Sequence, residues 1–106
     1  MTLPVIQRER ARADLLDLVA WIAADNPKAA LALYDGYEHS LDLLAGTPQV
    51  GRLYASGNPQ LAGMRVLPVH RFRKVLIFYR PLPGLVEIIR ILHGSRNIPA
   101  ILEEEP

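Results

Sequence analysis

The chain has 106 residues, of which half are hydrophobic and 22% charged, and twelve Lys and Arg against eleven Asp and Glu leave a net charge of +1. That is enough apolar material for one core and one domain spanning residues 1–106, it is too apolar for a disordered chain, and no uninterrupted apolar run approaches the ~18 residues of a membrane span. There is no cysteine, so neither a disulfide framework nor a thiolate zinc site is expected.

The first apolar run, Leu3 to Gln7, contains Pro4, which has no N–H to give to a ladder and predicts an edge strand. No cationic start precedes this run and it leads straight into charge, so it does not read as a signal peptide, and a cytoplasmic location is expected. From Glu9 to Ala24 the pattern is helical. Leu15, Leu18, Val19 and Ile22 form one apolar stripe, five alanines favour the helix, and Trp21 lies off the stripe. The lead-in Gln7-Arg8-Glu9-Arg10 lacks the usual Ser, Thr or Asp cap. Asp25-Asn26-Pro27 is a strong boundary, because Pro27 suits a first helical turn and Asn26 or Asp25 can cap it. A second helix is predicted from Pro27 to Ala45, with Ala30, Leu33, Tyr34, Tyr37, Leu41 and Leu44 on one face and Gly46 closing it. The short break makes residues 9–45 an antiparallel helical hairpin. Thr47 to Ala62, with its spread Pro and Gly residues, is expected to be a loop without a regular element.

Three strands follow, at Met64–Val69, Val75–Tyr79 and Val86–His93, rich in β-branched and aromatic residues. His70-Arg71-Phe72-Arg73 and Pro81-Leu82-Pro83-Gly84 are short connections, so residues 63–93 should form an antiparallel meander. Asn97 to Glu105 is a candidate short helix. Ile89 and Ile91 are expected on one face of the sheet and Ile88 and Leu92 on the other. One face should cover the hairpin; the other should remain partly apolar and unburied, a surface that suits a partner. The expected fold class is α+β, with the order β-α-α-β-β-β and a small, mainly antiparallel sheet.

Charge is unevenly placed. Residues 63–98 carry seven cations (Arg65, Arg71, Arg73, Lys74, Arg80, Arg90 and Arg96) against Glu87 alone, a local charge of +6. Residues 8–46 carry −3, and Glu103 to Glu105 add three acids. A basic sheet on a nearly neutral chain points to an anionic partner. The low total charge argues against tight nonspecific DNA binding, so DNA contact is expected only through a partner. No Ser/His/Asp arrangement, Gly-rich phosphate loop or metal-spaced cluster is present, and no metal or cofactor is expected.

The element order, together with Ala11-Arg12-Ala13-Asp14-Leu15-Leu16-Asp17-Leu18, Thr47-Pro48-Gln49-Val50-Gly51-Arg52, Val75-Leu76-Ile77-Phe78-Tyr79-Arg80 and Val86-Glu87-Ile88-Ile89-Arg90-Ile91-Leu92-His93-Gly94-Ser95-Arg96, resembles the RelE/ParE superfamily of toxins from type II toxin–antitoxin systems. The match is nearest to the ParE branch. That resemblance implies a bacterial toxin that inhibits DNA gyrase by binding and is neutralised by a ParD-like antitoxin. The antitoxin would lie as an amphipathic helix and strand over the hairpin and sheet.

RelE-like relatives instead cut messenger RNA on the ribosome without a metal. Were this chain such an enzyme, Arg65 and Arg90 would bind phosphate and His93 would act as acid or base. The tyrosine or histidine usual beyond the last strand is absent, since Gly94-Ser95-Arg96-Asn97 stands there, and so is the lysine-rich segment before the second strand. The plainer reading makes Arg90 a strand arginine paired with an acid and His93 a hydrogen-bonded strand end. The residues assigned to the antitoxin are Leu18, Trp21, Arg65, Arg80 and Arg90, and those assigned to the target are Arg71, Arg73, Lys74 and Arg96. A chain that retains antitoxin binding and has lost toxicity is the third reading.

Overall fold

The computed structural model describes residues 2–104. Its elements run β1 (Val5–Gln7), α1 (Glu9–Ala23), α2 (Pro27–Gly46), β2 (Arg52–Leu53), a 3-10 turn (Pro59–Leu61), β3 (Arg65–Val69), β4 (Phe72–Leu82), β5 (Leu85–His93) and α3 (Ile98–Leu102). The sheet order is β1-β5-β4-β3-β2; β1 pairs parallel with β5 and the other neighbours are antiparallel. Two helices packed on a five-stranded sheet make the α+β architecture.

Local chemistry explains the helical hairpin. Asn26 caps α2 by accepting the Ala29 N–H at 3.1 Å, with Pro27 in the first turn. Helix α1 has no side-chain cap, although Glu9 places a carboxylate in its first turn. The guanidinium of Arg8, just before α1, grips Glu87 on β5 at 3.2 and 3.3 Å, so a tertiary contact fixes the helix start. Gly46 is the last helical residue and Thr47 caps the end, so the expected glycine stop lies inside α2.

The hairpin buries Ala11, Leu15, Leu33, Tyr37, Leu41 and Leu44 against Val75, Ile77, Tyr79, Val86, Ile88 and Ile91 of the sheet. Tyr34, expected on the buried face, is instead nearly half exposed. It stands at the seam between the helices, beside Leu16.

Three further sequence expectations are corrected. Residues 47–62 are not without regular structure, because Arg52 and Leu53 pair with Val66 and Arg65 and a 3-10 turn follows. The second face of the sheet is not left open: Leu61, Met64 and Leu102 cover Val66, Phe78, Ile89 and Leu92, with Tyr54, Ile98 and Ile101 at the margin. Tyr54 meets Phe78 edge-on at 5.7 Å. Finally, Ile91 joins Ile88 in the core under the hairpin, while Ile89 and Leu92 share the opposite one. The register of β5 against β4 shifts between Phe78 and Tyr79, which pair with Arg90 and Ile88 and leave Ile89 as an extra residue. Such a bulge breaks the two-residue alternation on which the sequence reading relied.

Candidate functional site

Of the seven cations in the strand region, three are engaged inside the fold. Arg90 is 4% exposed, and its Nε and one terminal nitrogen donate to the Asp14 carboxylate of α1 at 2.7 and 2.9 Å. Asp14 also accepts the Ile91 N–H at 3.0 Å. β1 pairs only with Val86, Glu87 and Ile88, so this carboxylate serves a β5 backbone group beyond the reach of β1. Arg65 donates to the Gly51 carbonyl at 2.7 Å and the Gln49 carbonyl at 3.2 Å. Tyr79 Oη accepts the Gly51 N–H at 2.8 Å, so the strand residues hold this loop from both sides. Burial raises the pKa of the Tyr79 phenol, while the Gly51 hydrogen bond and Arg65 oppose that rise. Arg80 donates to the Gln60 carbonyl at 2.9 Å, and its buried Nε has no partner among the described residues.

The other four cations lie at one end of the sheet. Arg71, Arg73 and Lys74 belong to the β3–β4 connection and the start of β4, and Arg96 follows β5. Val75 pairs with His93 and the Gly94 N–H donates to the Lys74 carbonyl at 2.7 Å, which brings the two segments together. Among the described residues none of these four side chains has a hydrogen-bond or ion-pair partner. Arg71 has φ of 70°, a left-handed conformation uncommon for a long side chain. The turn that carries it is docked on α2. The His70 N–H donates to Ser40 Oγ at 2.9 Å, Ser40 donates to the Gly36 carbonyl, and the His70 ring stacks on His39 at 4.1 Å. Gly36 is required there, since a Cβ would lie 2.4 Å from the His70 carbonyl oxygen. The His70 pKa is lowered by desolvation and by the neighbouring His39 and Arg71.

His93 closes β5. Its Nδ1 accepts the Ser95 N–H at 3.1 Å and lies 2.8 Å from Ser95 Oγ, so the neutral ring carries its proton on Nε2. His93 shares a small hollow with Asp14, Asp17, Leu18, Ile91 and Arg96. The three residues that a nuclease would combine are therefore engaged separately: Arg65 on the loop before β2, Arg90 on α1, and His93 on Ser95. No group of three or more His, Asp or Glu among the described residues is placed to hold a metal ion. None of the helices described is long and apolar enough to cross a membrane.

Of the nine large apolar side chains exposed among the described residues, five lie on the hairpin. Trp21 is 74% exposed; Leu16, Leu31 and Tyr34 are also exposed, and Ile6 on β1 joins them. A hollow of about 130 Å³ lies between the helices, with Gln7, Arg12, Leu16, Tyr34 and Glu38 among its walls. Leu18 is half-buried on the other flank of α1. Trp21 is among the anchors expected from the sequence; Leu16 and Leu31, likewise exposed, are not. Both carry the same signal, a large apolar side chain off the stripe that packs on the sheet.

Two solved structures share this architecture. The chromosomal ParDE toxin–antitoxin system of P. aeruginosa matches with a TM-score of 0.71 at 20% identity, over 89% of this chain and 98% of that one. The RelBE2 toxin–antitoxin complex of Mycobacterium tuberculosis matches with a TM-score of 0.59 at 24% identity, over 88% and 99%. The fold is thus that of the RelE/ParE toxins. Toxin RelE1 of Caulobacter vibrioides is 32% identical over 94 residues, 89% of this chain and 96% of that protein. Residues 5–98 match the family described as the ParE toxin of the type II toxin–antitoxin system parDE, and the chain belongs to that family.

Proposed function

We propose that this toxin inhibits DNA gyrase by binding, holding the enzyme in a state where DNA is cut and not resealed, and that a ParD-like antitoxin neutralises it. The observation that carries this reading over RNA cleavage is the engagement of the strand arginines. Arg90 is buried against Asp14 and Arg65 is committed to two loop carbonyls. A phosphorane needs cations that can turn toward it, and freeing Arg90 would strand the Asp14 carboxylate. The match to the ParE family supports it independently.

The antitoxin is assigned to the hairpin side. Trp21 and Leu18 on one flank of α1, and Leu16 and Tyr34 at the helix seam, offer the apolar anchors that an amphipathic segment needs. Arg65 and Arg80, half-buried on the sheet, stay assigned to the antitoxin, whereas Arg90 is turned inward onto Asp14. Arg71, Arg73, Lys74 and Arg96 are assigned to the target. The cytoplasm, where gyrase acts, is the expected location.

The test is to induce the chain alone in bacteria and pulse-label DNA and protein synthesis over the first minutes. DNA synthesis falling first, with induction of the DNA-damage response, is expected. If protein synthesis falls first, the reading is overturned in favour of a ribosome-dependent endonuclease with Arg65, Arg90 and His93 as its catalytic candidates. If neither falls, the chain is an antitoxin-binding module without toxicity.

A further inference from the structure

We propose that the end of the sheet formed by the β3–β4 turn and the residues after β5 is a binding site for the phosphodiester backbone of DNA, seated in a hollow beside Arg73 and Lys74. The inference rests on the target assignment above and names the chemistry of the contact; it replaces the expectation that DNA is met only through a partner, because the cations of this region are not spread over the sheet but gather at one end of it.

The hollow has a volume of about 400 Å³ and is lined by Arg73, Lys74, Leu76, His93, Gly94 and Ser95. It presents two cations, an imidazole and a hydroxyl over a lining that is more apolar than polar, with Leu76 in its wall and no carboxylate. His93 is held with Nδ1 as acceptor, which leaves Nε2–H as a donor. Arg, Lys and Ser side chains are among the groups that proteins use to contact DNA phosphates. Arg71 and Arg96 extend the cationic surface on either side. Asp35 neighbours Arg71, and Asp17 neighbours Arg96, so the weight of the site falls on Arg73 and Lys74.

Two further observations separate this end from a protein-binding surface. Among the described residues the exposed large apolar side chains are Ile6, Leu16, Trp21, Leu31, Tyr34, Leu43, Val50, Leu53 and Leu82, and none belongs to the β3–β4 turn or to residues 93–96. The apolar side chain lining the hollow is the half-buried Leu76, a small centre for a protein partner to bury, whereas a phosphate backbone is held by charge. The turn is also built to stay in place. Gly36 lets α2 approach, Ser40 holds the His70 N–H, and Arg71 is kept in a left-handed conformation that glycine or asparagine would adopt more readily. A long cation at such a position points to a use for its charge.

The experiment is fluorescence anisotropy of the purified full chain with a labelled 20-base-pair duplex over a range of NaCl concentrations. Micromolar to sub-millimolar binding is expected. Its log–log salt slope should be about −2 to −3, as two or three phosphate contacts would give. Arg73→Ala with Lys74→Ala should reduce that slope by about two and weaken binding at least tenfold in low salt. Both side chains are exposed, and circular dichroism would verify that the double variant remains folded. Arg12→Ala, an exposed charge loss on α1, should leave the slope unchanged. Three results would each overturn the inference: no salt-dependent binding, equal loss in the Arg12 variant, or a preference for polyglutamate over DNA that the double substitution abolishes. If DNA binding fails while the gyrase–DNA cleavage complex still accumulates, the contact assignment is wrong and the gyrase reading survives. If DNA binding holds and gyrase is untouched, the reverse is true.

Discussion

Asp14 satisfies two obligations at once: it neutralises the Arg90 guanidinium and accepts the Ile91 N–H. Removing it leaves a nearly buried cation and an unpaired backbone donor. Asp14→Ala is therefore expected to cost about 3–5 kcal/mol in urea unfolding, whereas Asp17→Ala, one turn fraction away and exposed, should stay within about 0.5 kcal/mol of the parent. Arg71 gives the opposite sign. Arg71→Asn places a residue that tolerates φ of 70° at the turn, and a gain of roughly 0.5–1 kcal/mol is expected together with weaker target contact. Measuring stability and toxicity in the same variant tests both halves. The family resemblance and the strand spacing made Arg65, Arg80, Arg90 and His93 visible in the sequence as candidates. Their partners were not visible, because Asp14 and Arg90 are separated by 76 positions and meet only when α1 crosses β5.

Among the elements, the β3–β4 hairpin docked on α2 is the most exposed to a single change. Gly36→Ala sets a methyl 2.4 Å from the His70 carbonyl oxygen, which is backbone and cannot swing aside. A loss of about 1–3 kcal/mol is expected, read by chemical denaturation. The same contact should respond to pH. Desolvation, His39 and Arg71 lower the His70 pKa in the fold, so the unfolded chain binds a proton there more readily. The stabilisation is complete above the unfolded histidine value near 6.5 and declines as pH falls through that value toward the lower folded one. Unfolding midpoints at pH 7.5 and 5 should therefore differ more for the parent than for His70→Gln. The helices themselves were readable from local signals. Asn26 and Pro27 mark the start of α2 through hydrogen bonding and a fixed φ that act within four residues. The short β2 was not readable, since two residues carry no period. Its existence depends on Arg65 and Tyr79 gripping the adjacent loop.

At the scale of the whole molecule, three kinds of surface are kept apart. Apolar side chains are exposed on and around the hairpin, one sheet face is closed by the 54–62 loop and α3, and cations without a partner among the described residues gather at one sheet end. Trp21→Ala together with Leu16→Ala should leave the unfolding midpoint nearly unchanged while weakening antitoxin binding at least tenfold, which calorimetry with a ParD-like partner would measure. Arg73→Ala with Lys74→Ala should do the reverse in that assay, retaining antitoxin affinity.

The sequence by itself determined the two helices, their hairpin, the three-stranded meander, the excess of charge in the strand half and the family. Each is a local or compositional property, written in apolar periods of 3.6 and 2, caps and turn residues, or in segments of matching order. Only the tertiary structure decided which cations remain available. Charge along a chain cannot distinguish an arginine that will be buried against α1 from one that will face water. It decided also that the second sheet face is covered, and that Ile91 lies with Ile88 rather than Ile89. A bulge at Ile89 and a helix as short as α3 are both settled by packing between distant segments, where local periodicity has nothing to report.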